Sequence, residues 1–417
     1  MAKIRPIRAY RPRPDIVEKV ASRPYDVMNR EEAKADAAEN PFSFLRVIRS
    51  EIELDDEVSA YDDQVYASAR DNFWSFVEQN VFLRDHKPCF YLYRLIMGDV
   101  KQVGLVCGSS IDDYNEGIVK KHEFTRPVKE TDRIKHISTT GIHAGPVFCA
   151  YRQHASMDVL VEKLMQEKPE VDFELEDEVR HTIWVVDGDA SIAEITELFE
   201  AEIPATYIAD GHHRAASTSK VGFAEREEHG IVNGDEAYNY FLTVLFPDNQ
   251  LNCIDYNRVV KDLNGHSPEG FLKLIAEKFD LRECGTTVFK PQRANSFGLY
   301  LAGKWYSLTA KHGTFDAEDP VASLDVSILH DQLLYPILGI KDQRTDDRID
   351  FVGGIRGMEE LMKRVDNGDS ALAISIFPVQ LDQLFAVADS GEVMPPKSTW
   401  FEPKLRSGLF VHSFRED

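Results

Sequence analysis

The sequence predicts an α/β (α+β) protein of two domains, and three observations carry that reading. Short apolar runs of strand type, such as CFYLYRLIM and YFLTVLF, recur among stretches whose apolar residues fall at helical spacing. One β-rich run, Thr206-Tyr207-Ile208, passes through a glycine straight into an Ala/Ser-rich helix. From Ser267 the pattern changes, which places a boundary near residue 265 and divides the chain into domains of 1–265 and 266–417. A chain of 417 residues suits such a division, at roughly 100–200 residues per domain.

The opening IRPIRAYRPRP is predicted to be extended, because each proline drives its predecessor out of the helical region. A helix starts in PYDVMNREEAKADAAEN, with Asn29 as N-cap and Glu32 three residues on. Phe73, Phe76, Val77 and Val81 lie at helical spacing and predict a second helix over about 64–83. Strands follow in CFYLYRLIM and QVGLVCGSSI, joined by the turn Gly98-Asp99. After the polar block IVKKHEFTRPVKETDRIKHIS come a strand in GPVFCAY, a helix at about 156–167 and a strand around HTIWVVD. IPATYIADGHHRAASTSKVGFAEREE is a strand–turn–helix unit, and YFLTVLF has the unbroken apolar pattern of a central strand. DYNRVVKDLNG is a weaker strand or a connection. Beyond the boundary lie a helix in PEGFLKLIAEKF, a hairpin around Ala302-Gly303, a helix ended by Pro336, and a strand–helix–loop unit (ALAISIF, QLDQLFAVADSGE, PPKSTWFEPK).

Composition removes several classes of function. With 43% hydrophobic and 29% charged residues the chain can build an ordinary core without disulfides or a structural metal. A formal net charge of −23 repels polyphosphate backbones, so nucleic acid is not an expected partner. Lys3, Arg5, Arg8, Arg11 and Arg13 precede the first acid; prolines break that stretch, which reads as an extended edge segment, with a basic recognition arm as the alternative. The five cysteines contain no C-x-x-C, which fits a reducing compartment. No run of about 18 apolar residues occurs, so a cytoplasmic protein with no membrane partner is expected.

Three polar motifs could carry chemistry. Asp210-Gly211-His212-His213-Arg214 lies where a strand turns into a helix, and free amides at a helix start favour phosphate. Gly211 admits close backbone approach, Arg214 can fork onto two phosphate oxygens, and Asp210 can cap the helix or hold a cation. A capped helix with surface histidines is the plain alternative. Zinc is disfavoured, since adjacent side chains diverge by about 100° on a helix. The second motif, Lys121-His122-Glu123 with Thr125, Arg126, Lys129, Asp132 and Arg133, sets a carboxylate among cations, as a general base requires; a solvated helical face explains it as well. Arg126 stands where the second histidine of a zinc-protease motif belongs. The third, Pro395-Pro396-Lys397-Ser398-Thr399, combines a stiff loop with one charge and two hydroxyls, suited to a phosphate or a zwitterion; a plain Pro-rich connection explains it equally well. No Walker loop, G-x-G-x-x-G, kinase catalytic loop or G-x-S-x-G occurs.

Together, IRPIRAYRP, PYDVMNREEA, KKHEFTRPVKETDR, GPVF, YIADGHHRAA, NYFLTVLFP and NRVVKDLNG resemble the family of the domain of unknown function 1015, which carries no activity. DGHHR, the earlier His-Glu pair and Gly391-Glu392-Val393 followed by Pro396-Lys397-Ser398-Thr399 are similar to the archaeal free L-serine kinases of the ParB/sulfiredoxin-like superfamily. Those kinases continue with Arg-His after the threonine, where this chain has Trp400-Phe401. The resemblance implies a ParB/sulfiredoxin-like mixed-sheet core and a C-terminal α/β domain closing the cleft. The reaction it implies is phosphoryl transfer between a donor (ATP, ADP or pyrophosphate, with Mg²⁺) and the hydroxyl of L-serine, or its reverse on O-phosphoserine. Glu123 would be the base, with Asp26 of the PYDV motif and Asp132 as competing carboxylates, and with His122 and Arg214 as further catalytic residues. Asp210 to Arg214 would hold the donor's phosphates, with Asp210 a candidate for Mg²⁺, and Lys397, Ser398 and Thr399 would hold the serine or phosphoserine end. Other readings of the same motifs are a phosphatase or nucleotide hydrolase, and a ParB-like nucleotide-dependent binding protein. The latter calls for a basic, DNA-reading face that the charge balance does not suggest.

Overall fold

The computed structural model describes residues 1–230 and 234–415, which form a mixed α/β protein of two compact units. The first unit comprises residues 1–251 and 403–417, the second 252–402.

The first unit is built on a mixed sheet whose strands run in the order Val119–Lys120, Thr206–Asp210, Val147–Tyr151, Tyr240–Pro247, Val100–Ser110, Phe90–Met97, Val179–Val186 and Val171–Glu174. Ile4–Arg5 joins Val100–Ser110 at Gly108 and Ser109, beyond its pairing with Phe90–Met97. Thr206–Asp210 is parallel to Val119–Lys120, and Tyr240–Pro247 to Val147–Tyr151; the other pairs are antiparallel. YFLTVLF thus forms a central strand, buried along its whole length, as its unbroken apolar run requires. The predicted turn at Gly98 is present, with φ +55°. A second apolar cluster joins Phe44, Phe73 and Phe82 to Tyr10, and the helix Asp63–Glu78 contributes Phe73 and Phe76 to it. Asn29 caps Arg30–Ala37 in a reciprocal capping box with Glu32.

Three of the N-terminal cations form ion pairs within this unit. Arg11 pairs with Asp85 at 2.7 Å and with Glu170, Arg5 with Glu200 at 2.6 Å, and Arg13 with Asp15 at 3.0 Å. The segment is extended, as its prolines require; Arg5, Arg11 and Arg13 are held by carboxylates, and Arg8 donates to the main-chain carbonyl of Asp85 at 3.1 Å.

The second unit is a six-stranded antiparallel sheet in the order Phe279–Gly285, Lys304–Ala310, Ser296–Leu301, Leu372–Ile376, Tyr256–Val260 and Ile349–Gly353. Val259, Trp305, Leu361 and Ala373 lie in its core. Ala302 and Gly303, at φ +49° and +77°, make the predicted hairpin turn.

The boundary falls at 251/252 and not near 265. Tyr256–Val260, which reads as a weak strand, is an interior strand of the second sheet, bonded on both sides. Asn257 and Arg258 break its apolar run in the sequence, yet both are fully buried and hydrogen-bonded. The C-terminal division is also corrected, because residues 403–417 return to the first unit, where His412–Ser413 pairs with Ile142–His143 and Val411 with Tyr10. Among the described residues no helix is long and apolar enough to cross a membrane.

Candidate functional site

The strand Thr206–Asp210 ends at Gly211, whose φ of +98° lies in the region that favours glycine, and the helix His212–His229 begins at once. Among the described residues no side chain caps that helix, so its first amides are left for another acceptor. Arg214 folds back over the turn: a Cβ on Gly211 would lie 3.0 Å from its Nε and 3.1 Å from its Cζ. The guanidinium also donates to the carbonyl of Pro146 and stands 3.8 Å from Asp210 Oδ2. Arg214 lines a narrow pocket together with Tyr25, Arg133, His136 and His143.

Asp210 keeps about a third of its side chain exposed (32%), and Lys404 donates to its Oδ2 at 3.3 Å. Burial pushes its carboxyl up, but Lys404 and Arg214 more than offset this and hold it well below the usual carboxylate range. The lysine beside this motif is therefore Lys404. Its signal in the sequence is faint: Pro403-Lys404 repeats the dipeptide Pro396-Lys397 within the same loop.

The His-Glu motif meets this turn. It occupies a loop between Val119–Lys120 and the helix Pro127–Thr140, not a helical face, because Pro127 fixes the helix start behind it. The ring of His122 lies edge-on to that of His212 with centroids 4.5 Å apart. The amide of His122 donates to His212 Nε2 at 3.4 Å, and the amide of Arg126 donates to His213 Nε2 at 3.0 Å. Each acceptor nitrogen must be unprotonated, which leaves the ring proton on Nδ1. His212 Nδ1 stands 3.9 Å from Glu123 Oε2, so the neutral imidazole turns its N–H toward the carboxylate. Burial pushes His122 down to about 4 and lowers His212 and His213 as well; His122 further lowers His212, and Arg126 further lowers His213. The histidines are thus neutral near pH 7. His122 and His212 are buried, so at the turn His212 can offer a ligand its main chain but not its ring, whereas Glu123 is exposed.

The remaining motif residues divide in the same way. Lys121 places its Nζ 4.4 Å from the centroid of the Tyr114 ring. Asp132, a second carboxylate of the block, accepts from Tyr66 at 2.9 Å and from Arg133 and is buried, which makes it structural. Thr125 donates to Glu130 at 2.7 Å. Among the described residues no three His, Cys, Asp or Glu side chains gather to hold a metal ion.

Lys397, Ser398 and Thr399 belong to the second unit. Lys397 is exposed at φ +57°, and Ser398 is buried with its hydroxyl donating to Pro395 O at 2.6 Å.

In class, this is a mixed-sheet α/β protein in which two separated polar motifs meet at a glycine-led, uncapped helix start. It belongs to the family described as "Protein of unknown function (DUF1015)", matched over residues 4–327. No curated protein matches its sequence. Among solved structures it is similar to a free serine kinase in complex with AMP, at 15% identity and a TM-score of 0.35, covering 72% of this chain and 86% of that one. It is similar also to SbnI with a C-terminal truncation from Staphylococcus aureus (10%, 0.38, covering 75% and 90%) and to a conserved hypothetical protein from Pyrococcus furiosus (15%, 0.33, covering 73% and 93%). Likenesses this loose say nothing further about the chain.

Proposed function

We propose that the protein is a small-molecule phosphotransferase of the free-serine-kinase type, with a ParB/sulfiredoxin-like core, moving a phosphoryl group between a donor (ATP, ADP or pyrophosphate) and the hydroxyl of L-serine, or in reverse from O-phosphoserine. One observation supports it most. Two motifs about 90 residues apart in sequence, which the resemblance assigns to base and phosphate site, meet through the contacts of His212 and His213 with the 122–126 loop. Phosphoryl transfer asks chiefly for positioning and charge neutralisation. Here the uncapped helix start and Arg214 receive the donor's phosphates, and Glu123, oriented by His212, takes the serine hydroxyl proton as the phosphoryl group transfers. The resemblance gives Lys397, Ser398 and Thr399 the serine or phosphoserine end.

Mg²⁺ would neutralise charge on the donor. Asp210 is the carboxylate of the turn available to it, but it already carries Lys404 and lies near Arg214. Its hold on Mg²⁺ without a phosphate ligand is therefore expected to be weak, with the ion arriving on the donor.

The test is phosphorus NMR of the purified protein with Mg²⁺ and serine, offering ATP, ADP and pyrophosphate in turn. Phosphoserine should form with at least one donor, or added phosphoserine should be consumed. If neither happens with any donor, the reading is wrong.

A further inference from the structure

Arg258 lies in the interior strand Tyr256–Val260 with no exposed surface at all. A buried cation is expensive to keep, and an apolar residue of similar volume would serve a plain core better. Burial lowers it to about 10, which leaves it charged at neutral pH. Among the described residues no carboxylate pairs with it. Its two Nη groups donate instead to main-chain oxygens, Nη1 to Tyr256 O, and Nη2 to Pro396 O at 3.3 Å and Lys397 O at 3.0 Å, while Nε has no partner among the described residues. The guanidinium stands 4.9 Å from the Phe351 ring and 5.9 Å from that of Tyr256. The Tyr256 ring is shared, for Lys397 Nζ lies 5.6 Å from its centroid and Trp400 packs edge-on at 4.9 Å.

The turn that Arg258 grips has a proline in second place and, in third place, a residue at positive φ, where glycine or asparagine is usual. Here that residue is Lys397. Keeping a side chain in this conformation makes sense where the side chain itself is wanted, and strain of this kind persists only when the surroundings over-determine it.

We propose that Arg258 is a positioning residue that fixes the Pro395–Ser398 turn, so that Lys397 stands preset for an anionic ligand group, phosphate or carboxylate. The proposal deepens the kinase reading and rests on it for the identity of the ligand. Arg258 touches no substrate; it acts through the two carbonyls it holds.

Limited trypsin digestion of the full chain tests the hold directly, since Lys397 is exposed and the peptide bond after it lies inside the turn, and titration with O-phosphoserine, inorganic phosphate and L-serine tests its use. In Arg258→Met, cleavage after Lys397 should accelerate at least about tenfold while Lys363, in the helix Gly357–Asp366, keeps its resistance. The concentration of O-phosphoserine giving half-saturation should rise about tenfold, as expected for losing one preset charged contact. Loss of affinity in Arg258→Met for inorganic phosphate but not for L-serine would assign the anion as phosphate, and the converse as carboxylate. Unchanged cleavage after Lys397, or equal acceleration at Lys363, would reduce Arg258 to ordinary core and overturn the proposal. Failure of the wild type to bind any of the three probes would overturn its ligand half. A wild type that binds a probe yet makes no phosphoserine would sink the kinase reading alone. Should Arg258→Met not fold, Arg258→Lys, which keeps the charge but not the fork, should give intermediate cleavage; wild-type cleavage there would again overturn the proposal.

Discussion

The two polar turns of this molecule solve one backbone problem in opposite ways. In the first unit Gly211 takes φ +98°, and the guanidinium of Arg214 fills the space a Cβ would need. In the second unit Lys397 takes φ +57° with its side chain in place, and Arg258 grips the carbonyls from beneath. The first arrangement lets a guanidinium lie directly against the main chain. The second presents a charge in a fixed place at some cost in strain. On the proposed function, the glycine marks where the main chain would do the recognising, and the strained lysine where a side chain would.

Acid should separate the two regions most strongly. The first unit holds His122 and His136 at about 4 and His181 at about 3, all lowered chiefly by burial, with His143, His212 and His412 lowered too. Between the ordinary value near 6.5 and these lower ones the unfolded chain binds more protons, so stability falls as pH drops through that window. Each group contributes a slope of about 1.4 kcal/mol per pH unit. Three such groups remove roughly 4 kcal/mol per unit, against a typical total of 5–15 kcal/mol. In the second unit Asp325 is pushed up to about 7 by burial, so the fold there binds the extra proton and gains stability as pH falls from 7 toward 4. Hydrogen exchange at pH 5 should show the sheet of the first unit opening before that of the second. Equal protection of both sheets down to pH 4 would contradict this.

Next in size is Glu123→Gln, which should lower turnover by about 10²–10⁴-fold with both substrates still bound. Asp132→Asn should leave catalysis within severalfold and instead lower the melting temperature, since it loosens the contacts with Tyr66 and Arg133. If Asp132→Asn abolishes turnover and Glu123→Gln does not, the base has been misassigned. Arg214→Ala should weaken donor binding, and Arg214→Lys should restore the charge without the fork.

How much of this was legible depends on the range of the contacts. The central strand YFLTVLF and the Asn29 cap were readable because apolar runs and caps are local. The helix Asp189–Glu202 and the strand Val171–Glu174 went unread, although Ile192, Ile195 and Phe199 keep helical spacing, because the alternating apolar runs on either side dominate that stretch. DYNRVV looked weak because its two polar residues find their partners only in the folded sheet. Lys404 joins Asp210 across 194 residues, and no local pattern announces such a pair.

Lys404→Met sharpens the comparison from the side of the first turn. With Lys404 gone Asp210 keeps Arg214 and His212 nearby, and its carboxyl should move back toward the ordinary range. A depressed carboxylate contributes stability that is present above about pH 4, its unfolded value, and lost as pH falls through the folded one. The variant should therefore lose stability at neutral pH and differ less from wild type near pH 2. A stability difference that is the same at pH 7 and pH 2 would show that the Lys404 contact matters through packing and not charge.

The smallest effect is the most discriminating, because its sign differs between the two turns. Gly211→Ala should destabilise by about 1–3 kcal/mol, from the strained backbone and the crowding against Arg214. Lys397→Gly should do the reverse: relief of positive-φ strain, less the extra flexibility glycine gives the unfolded chain, leaves a gain of up to about 1 kcal/mol. Yet the same substitution removes the ammonium over the Tyr256 ring, so ligand affinity should fall while the melting temperature rises. Gain of stability with loss of binding is the pattern expected when a protein keeps a costly residue for function. Were Lys397→Gly to lose stability, the lysine would be part of the packing of the second unit, and the contrast between the two turns would reduce to one of sterics.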